Sequence, residues 1–187
     1  RRGGPFFIGP LFIYSLHMNP LSLIRQFIKG LTAETTPGQI GAGIALGFLI
    51  GLMPKATLTA QLLIVVMMAS KVNLPMAVFT VAIVSLLNPF IDKVTDPIGY
   101  ALLTAEGLRP LWTKLYNTPV FPWTGFNNTV VPGGLVFGAA MLARVYLGGK
   151  KFGAYYNDKL RVRVMNSKLG KSLKASWLLD WYFKEGV

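Results

Sequence analysis

Residues 35–54 read TTPGQIGAGIALGFLIGLMP, an uncharged stretch in which Gly43, Gly47 and Gly51 recur at every fourth position. Residues four apart share one face of a helix, so these glycines form a single smooth stripe. Glycine weakens a helix in water, but in a bilayer small residues let two helices approach closely and gain dispersion contacts. Pro54 and Lys55 interrupt the run. The stretch therefore predicts a closely packed membrane helix that ends in a break.

The composition of the whole chain favours a membrane protein. Its 187 residues are 52% hydrophobic and 14% charged, whereas soluble domains carry about 25% charged residues. The formal net charge is nevertheless +12, from 19 basic and 7 acidic residues. Basic residues at one membrane surface would explain both the low fraction of charged residues and the high net charge. A nucleic-acid binder would instead show basic and polar residues throughout. We therefore expect anionic lipid headgroups, and no nucleic acid, among the partners.

The chain lacks the residues of common catalytic centres. It has no cysteine, which excludes disulfides and thiolate chemistry, and its single histidine is His17. Asp92 and Asp96 could bind a cation or work as acid and base, but both flank prolines at a predicted helix end, where Asp commonly acts as a cap. We therefore predict no enzyme activity, no catalytic residue, no metal site and no cofactor.

Four apolar helices are predicted between residues 37 and 148. The first two cover residues 37–53 and 57–70. Each would have about 14–17 residues and a length of about 21–26 Å, whereas a helix that spans a bilayer needs about 20 residues. They either cross a thinned bilayer or form a re-entrant hairpin, and we favour the hairpin. The third begins at Asn73-Leu74-Pro75 and ends or kinks at Asn88-Pro89.

The fourth predicted helix covers residues 130–148, where Gly134 and Gly138 are again four apart. Short helices are expected over residues 97–104 and 108–116, in a Pro-rich stretch with balanced charge. The fold class is thus an all-α membrane protein with a short glycine-rich hairpin, two further membrane helices and interfacial amphipathic helices.

The two ends of the chain differ from its middle. Residues 1–18 form an extension that fits a signal-like segment, an upstream extension before Met18 or a short membrane-embedded segment. Residues 19–149 form the membrane domain, which Asn19-Pro20 opens with an interfacial helix. Residues 150–187 form a basic tail.

The basic tail has two patterns. Basic and apolar residues alternate over residues 159–164, which favours a strand or an extended arm. An amphipathic helix follows, which either lies on an anionic membrane surface or docks on an acidic partner. Its lysines and tryptophans are Lys168, Lys171, Lys174, Trp177 and Trp181.

The positive-inside rule gives an orientation, because basic residues near the predicted helix ends fall on one side of the membrane. These residues are Arg25, Lys29, Lys71, Lys150 and Lys151. We expect this side, with both termini, to be cytoplasmic, and the protein to be a multi-pass protein of a bacterial inner membrane.

Several separated motifs resemble one known family. Thr36-Pro37-Gly38-Gln39-Ile40, Leu46-Gly47 and Gly51-Leu52-Met53-Pro54-Lys55, followed by Asn73-Leu74-Pro75 and Asn88-Pro89, resemble the bacterial membrane proteins grouped as domain of unknown function 2062. Residues 111–131 resemble one subfamily with a Phe-Asn-Asn-Thr motif. The resemblance covers residues 19–147 and implies an inner-membrane protein with no assigned activity. It also implies a long envelope protein as partner.

Lys55 is the leading candidate site residue, because a lysine at membrane depth is costly and often functional. It would meet a lipid phosphate or a partner carboxylate if the hairpin is re-entrant, or the far headgroups if the helices cross. Pro54, Gln61, Asn88 and Pro89 are predicted lipid or partner contacts, with Gln61 bonded to a neighbouring helix.

The glycine stripes predict helix packing or a partner interface, through Gly43, Gly47, Gly51, Gly134 and Gly138, while Leu63 is expected to be exposed. The predicted function is a non-enzymatic subunit that anchors or gates a cell-envelope assembly handling lipid or another apolar cargo. The alternative is a small transporter or channel acting as a homo-oligomer. An enzyme acting on lipid phosphate ranks last.

Overall fold

The computed structural model describes residues 35–160 together with Arg163 and Asn166. The helices are α1 (Pro37–Gly51), α2 (Leu58–Ala69), α3 (Leu74–Thr104), α4 (Arg109–Tyr116) and α5 (Val130–Tyr155). Short 3₁₀ turns cover Glu106–Leu108 and Phe121–Thr124, and a π turn over Tyr156–Leu160 extends α5. These residues contain no strand, so the all-α prediction is confirmed for this part of the chain.

Several predictions lie outside the described residues. They concern the extension over residues 1–18, the interfacial helix after Asn19-Pro20 and the tail helix. The residues involved are His17, Arg25, Lys29, Lys168, Lys171, Lys174, Trp177 and Trp181.

Local signals set both ends of α1. Thr36 Oγ1 accepts a hydrogen bond from the Gln39 amide at 3.2 Å, and Gln39 Oε1 accepts one from the Thr36 amide at 2.9 Å. This reciprocal pair satisfies amides that have no acceptor within the helix. At the other end the Met53 amide donates to the Ile50 carbonyl at 3.2 Å, which tightens the last turn before Pro54. The helix ends two residues before its predicted limit.

A stripe of three glycines brings α1 against α3. A Cβ atom at Gly43 would lie 2.7 Å from the Asn73 carbonyl oxygen, and one at Gly51 would lie 2.6 Å from Val84 Cβ. Gly47, between them, meets the backbone of α3 even more closely. Because these contacts advance along both segments together, α1 and α3 run parallel.

Glycines also bring α1 against α5. A Cβ at Gly41 would lie 2.8 Å from the Lys150 amide nitrogen, and one at Gly138 would lie 3.1 Å from Leu52 Cδ1. Gly134 faces Leu52 as well, with a Cβ distance of 3.5 Å. Since early residues of α1 meet late residues of α5, the two helices are antiparallel. The first helix therefore lies between α3 and α5.

The third helix continues through two prolines. It covers 31 residues and includes Pro89 and Pro97. Of the two alternatives predicted at Asn88-Pro89, an end or a kink, the end is therefore wrong, and the short helix expected over residues 97–104 is part of α3. Each proline removes one amide donor. Beyond Pro89, Gly99 packs directly against the backbone of α5. This tertiary contact overrides the local signal.

The second helix is less embedded than α1. Thr57 caps it, and only Ala60 and Met67 of its 12 residues are buried. Leu63, which was expected to be exposed, instead packs partly buried against the clusters around Met53 and Ile50. Apart from Gln61, its exposed side chains are apolar and include Leu62, Val65, Val66 and Met68.

The fifth helix is longer than predicted. It runs past residue 148, and the π turn carries it to Leu160. Lys159 and Leu160 are therefore helical, and the strand or extended arm predicted for residues 159–164 is wrong at these positions. Tyr156 is buried in a cluster with α1 and α3, and Leu160 packs against it. This burial favours the helical course over the local alternation.

Within the part of the chain that the structure describes, two segments are long and apolar enough to cross a membrane: α3 and α5 with its π turn. Many of their large apolar side chains point away from the bundle, with Leu86 78% and Phe90 69% exposed. Helices α1 and α2 are apolar but shorter. A core helix of a soluble protein would bury such side chains instead.

Two hydrogen bonds gather the start of α1, the start of α3 and the end of α5. Asn73 Nδ2 donates to Thr35 Oγ1 at 3.1 Å, and Asn157 Nδ2 donates to the Thr35 carbonyl at 2.8 Å. Lys71 and Lys150 lie near these contacts, so this end is called the basic end. The opposite end, called the loop end, carries the end of α1 and α4.

Candidate functional site

Lys55 caps the end of α1. Its Nζ donates to the Gly51 carbonyl at 2.8 Å and to the Met53 carbonyl at 2.6 Å. The last carbonyls of a helix have no helical donor, and the helix dipole makes this end favourable for a cation. Pro54 turns the chain between Met53 and Lys55, so that the lysine side chain folds back onto the end of α1. Two of the three ammonium protons are thus used within the chain.

The Gly51 carbonyl also receives side chains from α3. Asn88 Nδ2 donates to it at 3.1 Å, and Ser85 Oγ approaches it at 3.5 Å. Ser85 Oγ donates more closely to the Val81 carbonyl, at 2.7 Å. The fold therefore brings Lys55 and Asn88, which the sequence suggested separately, to the same acceptor.

Three side-chain oxygens next to this contact are buried and make no hydrogen bond of ordinary geometry: Asn88 Oδ1, Asp92 Oδ1 and Thr95 Oγ1. The Thr95 hydroxyl nevertheless lies close enough to the Asp92 carboxylate to stabilise it. Residues spaced by four and then three lie on one face of a helix, so the three side chains form a row along α3. Buried polar atoms in proteins almost always have partners. This row is called the oxygen row.

Charges of both signs act on the oxygen row. The Lys55 ammonium attracts the Asp92 carboxylate, and Asp96 adds a second negative charge nearby. Asp96 itself accepts a hydrogen bond from the Thr129 hydroxyl, across to the start of α5. The two aspartates therefore occupy different settings: one is part of the buried row, and the other ties α3 to α5.

Thr95 and Ser85 are site residues that sequence reasoning missed. Thr95 is 0% exposed, in the close contact between α3 and α5. Its spacing from Asn88 and Asp92 would place the three side chains on one face of a helix, but only if the helix continues through Pro89. An end or kink at Asn88-Pro89, as predicted, separates Asn88 from Asp92 and Thr95.

The remaining predicted contact residues lie in different places. Gln61 is exposed on α2, and no hydrogen bond joins its side chain to another described residue, so its bond to a neighbouring helix stays a prediction. Pro54 is half-buried beside Lys55, and Pro89 is exposed on α3. Because Pro89 has no N–H, the Ser85 carbonyl lacks its helical donor.

The loop end carries a cluster of aromatic side chains. Tyr116 and Phe121 meet edge to face with ring centroids 5.1 Å apart, and Phe126 lies 5.5 Å from Phe121. Burial raises the pKa of the Tyr116 hydroxyl above its ordinary value. Trp123 points outward and is 76% exposed, as tryptophans do at a bilayer–water interface.

The described residues contain no group of three or more His, Cys, Asp or Glu side chains that could hold a metal ion. The chemistry available at the polar site is therefore that of one carboxylate, neutral oxygens and one ammonium. Such a set can bind and orient a charged group.

Comparison with known proteins gives one relative. The chain is 28% identical over 114 residues to an uncharacterised protein of Treponema pallidum (strain Nichols), a match that covers 61% of this chain and 70% of the relative. No protein-family model matches the chain, and the resemblance to domain of unknown function 2062 stays a prediction. No solved structure matches it.

Proposed function

We propose that this chain is a non-enzymatic integral membrane subunit that anchors or gates a larger assembly of the cell envelope. The observation that carries the proposal is the exposed apolar surface of α2 and α3. The glycine stripes, by contrast, already pack against helices of the same chain. Because Gly43, Gly47 and Gly51 already contact α3, this stripe is not open to a partner. A partner would instead meet the outward face of α3.

The lengths of the helices support crossing of a thinned bilayer. Residues 74–91 of α3 carry no charge and span about 27 Å, close to the hydrocarbon thickness of a bilayer of about 30 Å. Gly51 meets α3 at Val84, so α1 runs along most of this depth. We therefore now favour crossing by α1 and α2 over a re-entrant hairpin, with Lys55 near the headgroups at the loop end.

The charges support an orientation. Lys71, Lys150 and Lys151 lie at the basic end, which the positive-inside rule places in the cytoplasm. The loop end, with balanced charge and an outward Trp123, would then face the outer side of a bacterial inner membrane.

The outward face of α3 supports partner binding. Its apolar side chains recur at helical spacing, and large exposed apolar patches rich in aromatic residues mark interaction surfaces. The face consists of Phe79, Ile83, Leu86 and Phe90. The class of process proposed is movement of lipid or another apolar cargo, with an envelope protein as partner and anionic lipid at the basic surfaces.

Site-specific photo-cross-linking in native membranes tests this function. A photoreactive residue at Leu86 is expected to give a discrete protein adduct, identified by mass spectrometry as an envelope protein. The matched control is Val120, which is 64% exposed at the loop end and is expected to give no such adduct. Adducts with lipid alone at Leu86 would contradict the proposal.

A homo-oligomeric transporter or channel is the second candidate, and the oxygen row on α3 favours it because polar groups within apolar helices line transport sites. An adduct of twice the chain mass at Leu86, together with ion flux into liposomes that contain only this protein, would support this candidate over the first.

A further inference from the structure

We propose that Asn88, Asp92 and Thr95 form a binding site for a monovalent metal cation beside Lys55. The proposal does not depend on the partner-binding function, because it concerns the interior of the bundle rather than its outward face. Its basis is the oxygen row, in which three different side chains each present a buried oxygen that makes no hydrogen bond of ordinary geometry.

The atoms of the oxygen row have lone pairs that can bind a positively charged ligand. Thr95 is 0% exposed, and the oxygens of Asn88 and Asp92 lie about two turns and one turn before it, respectively, on the same face. The Asn88 amide group is oriented by its bond to the Gly51 carbonyl, which leaves its oxygen as the free atom. Carboxylate, amide and hydroxyl oxygens are the ligands that hard cations prefer.

Lys55 does not fill this role itself. Its ammonium donates to the Gly51 and Met53 carbonyls, whereas the Asn88 oxygen has no donor and the donor beside the Asp92 carboxylate is the Thr95 hydroxyl, whose lone pairs stay free for a cation. The lysine therefore acts as a fixed charge beside the row. The Ser85 carbonyl, freed by Pro89, adds a further oxygen on the same stretch of α3.

The charge balance selects a monovalent ion. The charges that act on Asp92 are one positive charge, on Lys55, and one negative charge, on Asp96. With Asp92 itself the group carries a net charge of one negative unit, which one monovalent cation neutralises. A divalent ion would leave an excess positive charge in a poorly solvated site. Lys93 is engaged elsewhere, over the ring of Phe90 at 5.9 Å from its centroid.

Thermal unfolding of the purified full-length chain in detergent micelles tests the site. The midpoint is measured in NaCl and in KCl, each titrated against N-methylglucamine chloride so that ionic strength stays constant. A ligand that binds only the folded state raises its stability with concentration, so the midpoint is expected to rise and to saturate with at least one of the two ions. An identical midpoint in all three salts would overturn the proposal.

Three variants locate the effect. Asp92→Asn is expected to abolish the ion-dependent rise, and Thr95→Val to raise the half-saturating concentration about tenfold, because one ligand oxygen is lost. The matched control is Glu106→Gln, an exposed carboxylate removed from the site, which should keep the full response. If Asp92→Asn fails to fold, Thr95→Val decides: an unchanged half-saturating concentration would contradict the assigned site.

Discussion

Lys55 supplies a positive charge where the last carbonyls of α1 have no helical donor. The lysine also has a structural role in the polar site, because the Gly51 carbonyl to which it donates accepts a second hydrogen bond from Asn88. A charge placed this way stabilises a helix end by about 0.3–2 kcal/mol. The lysine is thus a cap first, and its effect on the oxygen row follows from that fixed position.

Replacing Lys55 by methionine tests the cap. Lys55→Met keeps the apolar stem but removes both hydrogen bonds, and it is expected to lower the free energy of unfolding by about 1–2 kcal/mol. The measurement is equilibrium unfolding in mixed micelles. Lys151→Met is the control, because Lys151 is exposed on α5. Equal effects of the two substitutions would contradict a capping role.

The helices themselves show which sequence signals are sufficient. Thr36, Thr57 and Asn73 begin α1, α2 and α3 because each accepts a hydrogen bond from an amide three residues later, and such caps can be recognised locally. The continuation of α3 through Pro89 could not be recognised from the local sequence, because it depends on contact with α5. Local signals therefore predict where helices begin better than where they continue.

The candidate site was predicted in part for the same reason. Lys55 and Asn88 stood out as polar residues next to prolines within apolar segments. The bond from Lys55 to the Gly51 carbonyl is local. The bond from Asn88 to the same carbonyl depends on the register between α1 and α3, which the packing of Gly43 and Gly51 sets and which no signal near Asn88 encodes. Thr95 belongs to the site only because α3 is continuous.

The contact between α1 and α3 gives a prediction at the element scale. Gly47→Ala places a methyl group against the backbone of α3, and such overpacking should lower the free energy of unfolding by about 1–3 kcal/mol. Gly148→Ala is the matched control, since a Cβ there meets nothing within 4 Å. It should leave stability unchanged or raise it by up to about 1 kcal/mol. Both are measured by unfolding in mixed micelles, and equal stabilities would argue against close packing at Gly47.

For the whole molecule, the main question is which solvent surrounds the bundle. Its interior is built from glycine contacts and a few buried side chains such as Ile40, Ile50 and Met53, while larger ones on α3 lie outside. In water the exposed leucines would oppose solubility, whereas in a bilayer they are the preferred surface. Close helix contact would then take the place of an ordinary hydrophobic core.

Two exposed leucines separate these environments. In water Leu86→Asp and Leu111→Asp should both be tolerated, because both side chains are already exposed, by 78% and 48%. In a membrane only Leu86, on α3, lies at the depth of the hydrocarbon, against lipid or an apolar partner, and aspartate there costs about 2.5–3.5 kcal/mol at the centre of a spanning helix. We therefore expect Leu86→Asp to lower the amount of protein that resists alkaline extraction from membranes, while Leu111→Asp, on α4 at the loop end, retains the wild-type amount. Equal retention of both variants would mean that α3 does not cross the hydrocarbon at this position.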